Sequence, residues 1–146
     1  MLERAVGLVP TQVQILSGAL DIIVKKSKIH GKGVFANRDF RKGETVIKWD
    51  LSAILTKEDV DKLPKKEKRY ASILKDDKYV LHQTPARYVN HSCDPNTYTK
   101  DTCDVASRGI SKGEEITTDY SLEMTELYMK CNCGAKKCRG IVKSRI

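Results

Sequence analysis

At 146 residues the chain has room for one compact domain with a real core and too little for two ordinary ones. Hydrophobic residues make up 40% and charged residues 32%, a globular balance, and no apolar run is long enough to cross a bilayer, so no membrane partner is expected. Lys and Arg exceed Asp and Glu by 27 − 19 = 8, which admits acidic partners, nucleic acid included. No aromatic residues alternate with the basic runs as a base-stacking platform would, so that signal stays weak.

Residues 1–19 are fairly apolar, but Glu3, Pro10, Gln12 and Gln14 interrupt them, which argues against a signal peptide. Val13 and Ile15 alternate with Gln12 and Gln14 as a short strand would, although the same residues can frame a helix, and the role of the segment stays open. Leu20 to Val24 reads as a strand that ends at the basic turn Lys25-Lys26-Ser27-Lys28. Gly31 and Gly33 flank Lys32, and Val34-Phe35-Ala36 resumes an extended run. Glu44 to Leu55 is the longest strand-like stretch. Thr56-Lys-Glu-Asp59 has the form of a capping box and Pro64 opens a second helix, which predicts a short helical insert over about 56–75. Its basic residues Lys62, Lys65, Lys66, Lys68 and Arg69 read as a solvated face. Lys78 to His82 and Tyr98 to Lys100 are short strand candidates. Asp104 to Ile110 and Glu115 to Tyr120 are stronger ones, with the turn Ser111-Lys-Gly113 between them. The expected class is mainly β, and no internal repeat or low-complexity linker is evident.

The chemistry concentrates in Arg87-Tyr-Val-Asn-His-Ser-Cys-Asp-Pro-Asn96. Pro95 fixes φ and removes a donor, so the cluster Asn90-His91-Ser92-Cys93-Asp94 belongs in a turn. Such turns often do no more than bond their own backbone. Here they have a distant complement. Cys131, Cys133 and Cys138 form a Cys-x-Cys-x4-Cys set that lacks a fourth thiol, and Cys93 can supply it. Five cysteines in all, two of them too close together to pair readily, suit a disulfide scaffold poorly. Tetrahedral Zn²⁺ accounts for Cys93, Cys131, Cys133 and Cys138, leaving Cys103 as a small hydrophobe. With zinc comes a reducing intracellular compartment, cytoplasmic or nuclear, although an effector secreted into a host is also compatible.

Taken together, Tyr88-Val-Asn-His-Ser-Cys-Asp-Pro-Asn96, Gly113-Glu-Glu-Ile-Thr-Thr-Asp-Tyr120 and Cys131-Asn-Cys-Gly-Ala-Lys-Lys-Cys-Arg-Gly140 resemble a SET-domain protein lysine methyltransferase with its post-SET zinc loop. His30-Gly-Lys-Gly-Val-Phe-Ala36 and Lys42-Gly43-Glu44 resemble the amino-terminal part of the same domain. The resemblance covers about Ile22 to Gly140. It implies several small sheets with a C-terminal pseudoknot, a SET domain over residues 20–122 and a zinc-binding tail over 123–146. It implies S-adenosylmethionine as cofactor and, as partner, a protein with an accessible lysine, histone-like, ribosomal or otherwise basic. Tyr120 is then the catalytic residue. Asn90 binds the cofactor's amino group, His91 contacts adenine mainly through its backbone, and His30, Gly31, Lys32 and Gly33 complete the cofactor cradle with Tyr120. Arg87 is expected in a structural ion pair. Trp49, Tyr98 and Thr118 are the candidates for the substrate lysine channel. Thr118 stands where the family tends to carry Phe or Tyr, and the room this leaves predicts di- or trimethylation. Lys48-Trp49-Asp50-Leu51-Ser52 and Gln83-Thr84 depart from the family pattern on the peptide side. The competing reading is a catalytically silent SET-like module that binds a protein partner.

Overall fold

The computed structural model describes residues 13–16 and 19–146, so the sequence expectations for residues 1–12 lie outside it. In chain order the strands begin with β1 Val13–Leu16, β2 Ala19–Lys26, β3 Lys32–Ala36, β4 Thr45–Lys48 and β5 Ile54–Leu55. Two short helices follow, α1 Lys57–Asp61 and α2 Lys65–Lys68. The remaining strands are β6 Ala71–Ile73, β7 Tyr79–Leu81, β8 Asn90–His91, β9 Thr97–Lys100, β10 Cys103–Ala106, β11 Glu115–Thr118, β12 Tyr128–Lys130 and β13 Ile141–Lys143. They form four small sheets, ordered β1-β2-β3-β11-β8, β4-β10-β9, β5-β7-β6 and β12-β13. The mainly β expectation holds; among the described residues α-helix is confined to the insert, and single 3-10 turns stand at Ala86–Tyr88 and Tyr120–Leu122.

Apolar side chains that alternate along the strands meet between the sheets. Val24 pairs with Val34, and Val34 in turn with Ile116, across β2, β3 and β11. Ile22, Val34, Val46, Ile47, Val80 and Ile116 are fully buried in one cluster, each side chain contributing roughly 1.5–3 kcal/mol. Thr56 caps α1 by accepting from the Asp59 N–H, and the Asp59 carboxylate answers the Thr56 N–H, as the sequence predicts.

Four expectations need correction. Residues 71–73, inside the expected helical insert, form β6, and the expected strand Asp104 to Ile110 ends at Ala106, where the Ser107 N–H turns to the Asn96 carbonyl. The stretch from Glu44 to Leu55 is not one strand: it breaks after Lys48, and Ile54–Leu55 joins a different sheet. The Asp50 carboxylate accepts the Ser52 N–H at 2.9 Å, a local turn that competes with the ladder. There is also a short internal repeat. Phe40-Arg-Lys-Gly-Glu44 and Ile110-Ser-Lys-Gly-Glu114 make the same turn, with Gly43 and Gly113 at φ +90° and +95°. In each, the Glu carboxylate accepts the backbone N–H three residues earlier, and Phe40 and Ile110 exchange backbone hydrogen bonds between the two turns.

The pairing that positions the site is parallel. β8 lies beside β11, with Asn90 opposite Thr117 and His91 opposite Thr118. The polar turn and the segment ending in Tyr120 thus lie side by side although some thirty residues separate them in the chain.

Candidate functional site

The Asn90 side chain is buried at the meeting point of β8, β11 and the loop before β3. Its amide NH₂ lies among four acceptors: the Glu115 carboxylate at 2.8 Å, the carbonyls of Lys32 and His30 at 3.0 and 3.1 Å, and the Ser27 hydroxyl at 3.2 Å. With its two N–H groups committed there, the amide oxygen is the atom left to accept from a ligand. Ser27 in turn donates to Glu115 at 2.8 Å and accepts the Ile29 N–H. Gly33 is needed for a reason the sequence did not suggest, since a Cβ at this position would collide with the Glu115 carboxylate. Gly31 takes φ +42° with open space around it.

Beside Asn90 opens a cavity of about 610 Å³, a size that suits a nucleoside-bearing cofactor. His30, Asn90, His91 and Tyr120 line it, whereas Gly31, Lys32 and Gly33 do not. Its far walls come from the helical insert, through Val60 and Arg69, and from the tail, through Met124 and Leu127. The His91 ring is buried, and its Nδ1 accepts the Tyr120 N–H at 3.1 Å. The imidazole therefore sets the backbone of the tyrosine. Burial lowers the His91 pKa, with Asp119 opposing and Arg139 adding to the effect, so it stays neutral.

The Tyr120 hydroxyl donates to the Val89 carbonyl at 2.6 Å, which leaves its oxygen free to accept. Burial pushes the phenol pKa well up, Arg69 lowers it and Glu123 raises it further. This phenol holds its proton and is no general base.

Tyr120 also lines a second, small cavity of about 20 Å³, room for one water-sized group. Trp49 and Thr118 line it with Tyr120, as do Asp104, His82 and Glu123. The Trp49 indole donates to Asp104 at 3.2 Å and meets the His82 ring edge-on at 4.6 Å. Thr118 donates to the Glu123 carboxylate at 2.6 Å. Tyr98 is not brought here: it lies on β9, is 44% exposed and borders neither cavity. Burial pushes the Asp104 carboxyl up to about 8, helped by the neighbouring Glu123 charge and opposed by the Trp49 hydrogen bond. Sequence reasoning missed Asp104 and Glu123. An aspartate inside an otherwise inward-facing strand was a signal for the first; nothing marked the second. Arg87 takes the structural role expected of it, pairing with Glu67 at 2.8 Å and donating to the His82 carbonyl.

Cys93, Cys131, Cys133 and Cys138 come together with their Sγ atoms all within 4.8 Å of one another. A Zn²⁺ with sulfur at about 2.3 Å places tetrahedral thiolates roughly 3.8 Å apart. The Cys93 and Cys131 sulfurs are 3.8 Å apart. The donor set, its spacing and the backbone N–H groups aimed at it therefore fit zinc. The Arg139 N–H and guanidinium both reach the Cys93 sulfur at 3.3 Å, and the Cys93 N–H points at Cys133. Arg139 also pairs with Asp119 at 3.0 Å, and Arg145 pairs with the same carboxylate at 2.8 Å. Burial would raise the Asp119 pKa, but Ser121 and Arg139 outweigh it and hold the group below the usual carboxylate range. The cysteine cluster and the residue before Tyr120 thus share one network.

The SET domain matches residues 31–121 of this chain. The human histone-lysine N-methyltransferase 2B is 34% identical over 140 residues, covering 80% of this chain and 5% of that protein. Trithorax of Drosophila virilis, a histone-lysine N-methyltransferase, is 35% identical over 139 residues, covering 80% and 3%. The Caenorhabditis elegans histone-lysine N-methyltransferase set-2 is 34% identical over 131 residues, covering 79% and 9%. The chain therefore spans less than a tenth of the length of these curated relatives. With the SET domain matched over residues 31–121, more than half of its length, the chain belongs to the SET-domain family.

Proposed function

We propose that this protein transfers a methyl group from S-adenosylmethionine to the ε-amine of a lysine in a protein, with histone-like basic proteins as the substrate class. The observation that carries the reading is the position of Tyr120, which lines both a cofactor-sized cavity and a one-group cavity. A methyl donor in the first and an amine in the second meet at a single phenol.

The bound cofactor supplies an electrophilic methyl on a positively charged sulfur. A free lysine, with a pKa near 10.4, is almost wholly protonated at neutral pH. The amine must shed its proton before its lone pair can attack. Walls formed by Trp49, Thr118 and Tyr120 strip water from it, and desolvation disfavours the ammonium. The Tyr120 oxygen accepts an amine N–H and holds the nitrogen in line, so the residue positions and does not abstract. On the cofactor side, Asn90 through its amide oxygen, His91, His30 and the loop Gly31–Gly33 form the cradle. Residues 20–122 carry this chemistry, and residues 123–146 close the cavity. Zn²⁺ on Cys93, Cys131, Cys133 and Cys138 ties the closing segment to the Asn90 turn. Support for the substrate class comes from the relatives, which are named histone-lysine N-methyltransferases. No helix among the described residues is long and apolar enough to cross a membrane.

Titration calorimetry with S-adenosylmethionine tests the cofactor assignment. Binding to the wild type in the micromolar range, weakened tenfold or more by Asn90→Ala, is expected. Equal affinity in the two proteins would remove Asn90 from the site.

A further inference from the structure

The small cavity beside Tyr120 is more polar than a lysine channel requires. The Glu123 carboxylate borders it and receives two hydroxyls, from Thr118 at 2.6 Å and from Thr99 at 3.0 Å. Those hydroxyls come from β11 and β9, so two strands of different sheets fix one carboxylate oxygen in place. His82 borders the same cavity, is buried, donates to or accepts from Ser72 at 2.8 Å through Nε2, and leaves Nδ1 without a partner. A carboxylate held by its neighbours and an unpartnered ring nitrogen, around space for one small group, call for a polar occupant. Apolar walls alone would have sufficed to desolvate an amine.

Two acids meet here, Asp104 and Glu123, and burial raises the pKa of both. Asp104 is deeply buried and neutral at physiological pH. Burial is the largest influence on Glu123 and raises its pKa, with the hydroxyls of Thr118 and Thr99 opposing and the Asp119 charge adding. Both hydroxyls donate to the Glu123 Oε2, which leaves the Oε1 lone pairs as the acceptor this carboxyl offers.

Resting on the methyltransferase reading above, we propose that Glu123, anchored by Thr118, accepts an N–H of the substrate amine beside Tyr120 and so limits the product to dimethyl-lysine. In each transfer the nitrogen lone pair forms the N–C bond, the C–S bond breaks with its electron pair passing to sulfur, and the extra proton of the resulting ammonium passes to bulk water once the lysine withdraws from the site. A primary amine offers two N–H groups, one for Glu123 and one for the Tyr120 oxygen. Monomethyl-lysine still offers one and can be held with its lone pair toward the donor. Dimethyl-lysine has none, and its second methyl would sit against a carboxylate. The carboxylate thus takes the place of the space that Thr118 would otherwise leave for a third methyl.

The test is exhaustive treatment of recombinant core histones with S-adenosylmethionine, read by mass spectrometry of the digested product. Wild type should accumulate dimethyl-lysine and stop. Glu123→Ala and Thr118→Val should both produce trimethyl-lysine, at rates reduced tenfold or more, with unchanged affinity for the cofactor. Trimethyl-lysine from the wild type, a wild type that stops at monomethyl-lysine, or folded variants that stop where the wild type does would each overturn the assignment. If neither variant folds, the wild-type end point alone decides. Absence of any transfer by the wild type would overturn the methyltransferase reading itself and this inference with it.

Discussion

Asp104 allows a pH experiment whose sign is fixed by the structure. In the folded chain its carboxyl is buried, and its pKa is displaced from an ordinary 3.8 to about 8. Between those values the folded state keeps a proton that the unfolded chain has lost. Stability must then fall as pH rises through this window and level off above it. A displacement of about four pKa units at 1.36 kcal/mol each sets a ceiling of about 5 kcal/mol. His82 acts in the opposite direction. Burial, with Arg87 adding, lowers its pKa from 6.5 to about 4, so stability rises with pH between those two values. Comparing the wild type with Asp104→Asn separates the two, because the amide cannot ionise yet still accepts from the Trp49 indole. Urea denaturation at half-unit steps from pH 5 to 9 is the assay. The variant should gain on the wild type by 2 kcal/mol or more across that range (roughly half the ceiling). Parallel curves would show that Asp104 titrates as an exposed acid and that the small cavity is open to water.

Three further outcomes follow from the geometry. Elemental analysis should find one zinc per chain, and Cys133→Ser or a chelator should expose residues 123–146 to protease and abolish cofactor binding. Gly33→Ala should lower stability by roughly 1–3 kcal/mol and weaken S-adenosylmethionine binding, because the new methyl displaces the Glu115 carboxylate that holds Asn90. Asp119→Asn leaves Arg139 and Arg145 without their shared anion; a cost of about 1.5–3 kcal/mol, seen as faster amide exchange over residues 139–146, is expected, and unchanged exchange there would mean the pairs are solvent-screened.

Legibility followed the range of the interactions. Strands Ala19–Lys26, Tyr79–Leu81 and Glu115–Thr118, the Thr56 cap and the four-cysteine cluster were readable because each announces itself in local pattern or in residue chemistry. The joining of Asn90 to Tyr120 came only from family resemblance, since a two-residue parallel pairing leaves no periodic trace. The break after Lys48 was hidden because Trp49, Leu51 and Ile54 continue the apolar pattern while Asp50 ends the ladder through one hydrogen bond. The repeat at Gly43 and Gly113 is five residues long, too short to stand out before its two copies are seen back to back. Tyr98 was placed in the channel by its aromaticity, but its position in β9 turns it to solvent. Glu123 was overlooked for the reverse reason: a glutamate in an unstructured-looking tail reads as surface until Thr118 and Thr99 are found on its carboxylate.

In the proposed mechanism one phenol joins a cofactor site to an amine site. Single-turnover transfer of labelled methyl from S-adenosylmethionine to core histones, compared between the wild type and Tyr120→Phe, tests it most directly. Label on lysine is expected with the wild type and a rate lower by about a hundredfold in the variant, with cofactor affinity changed by less than about threefold. Cofactor binding by both proteins without transfer by either, or equal rates from the two, would contradict it.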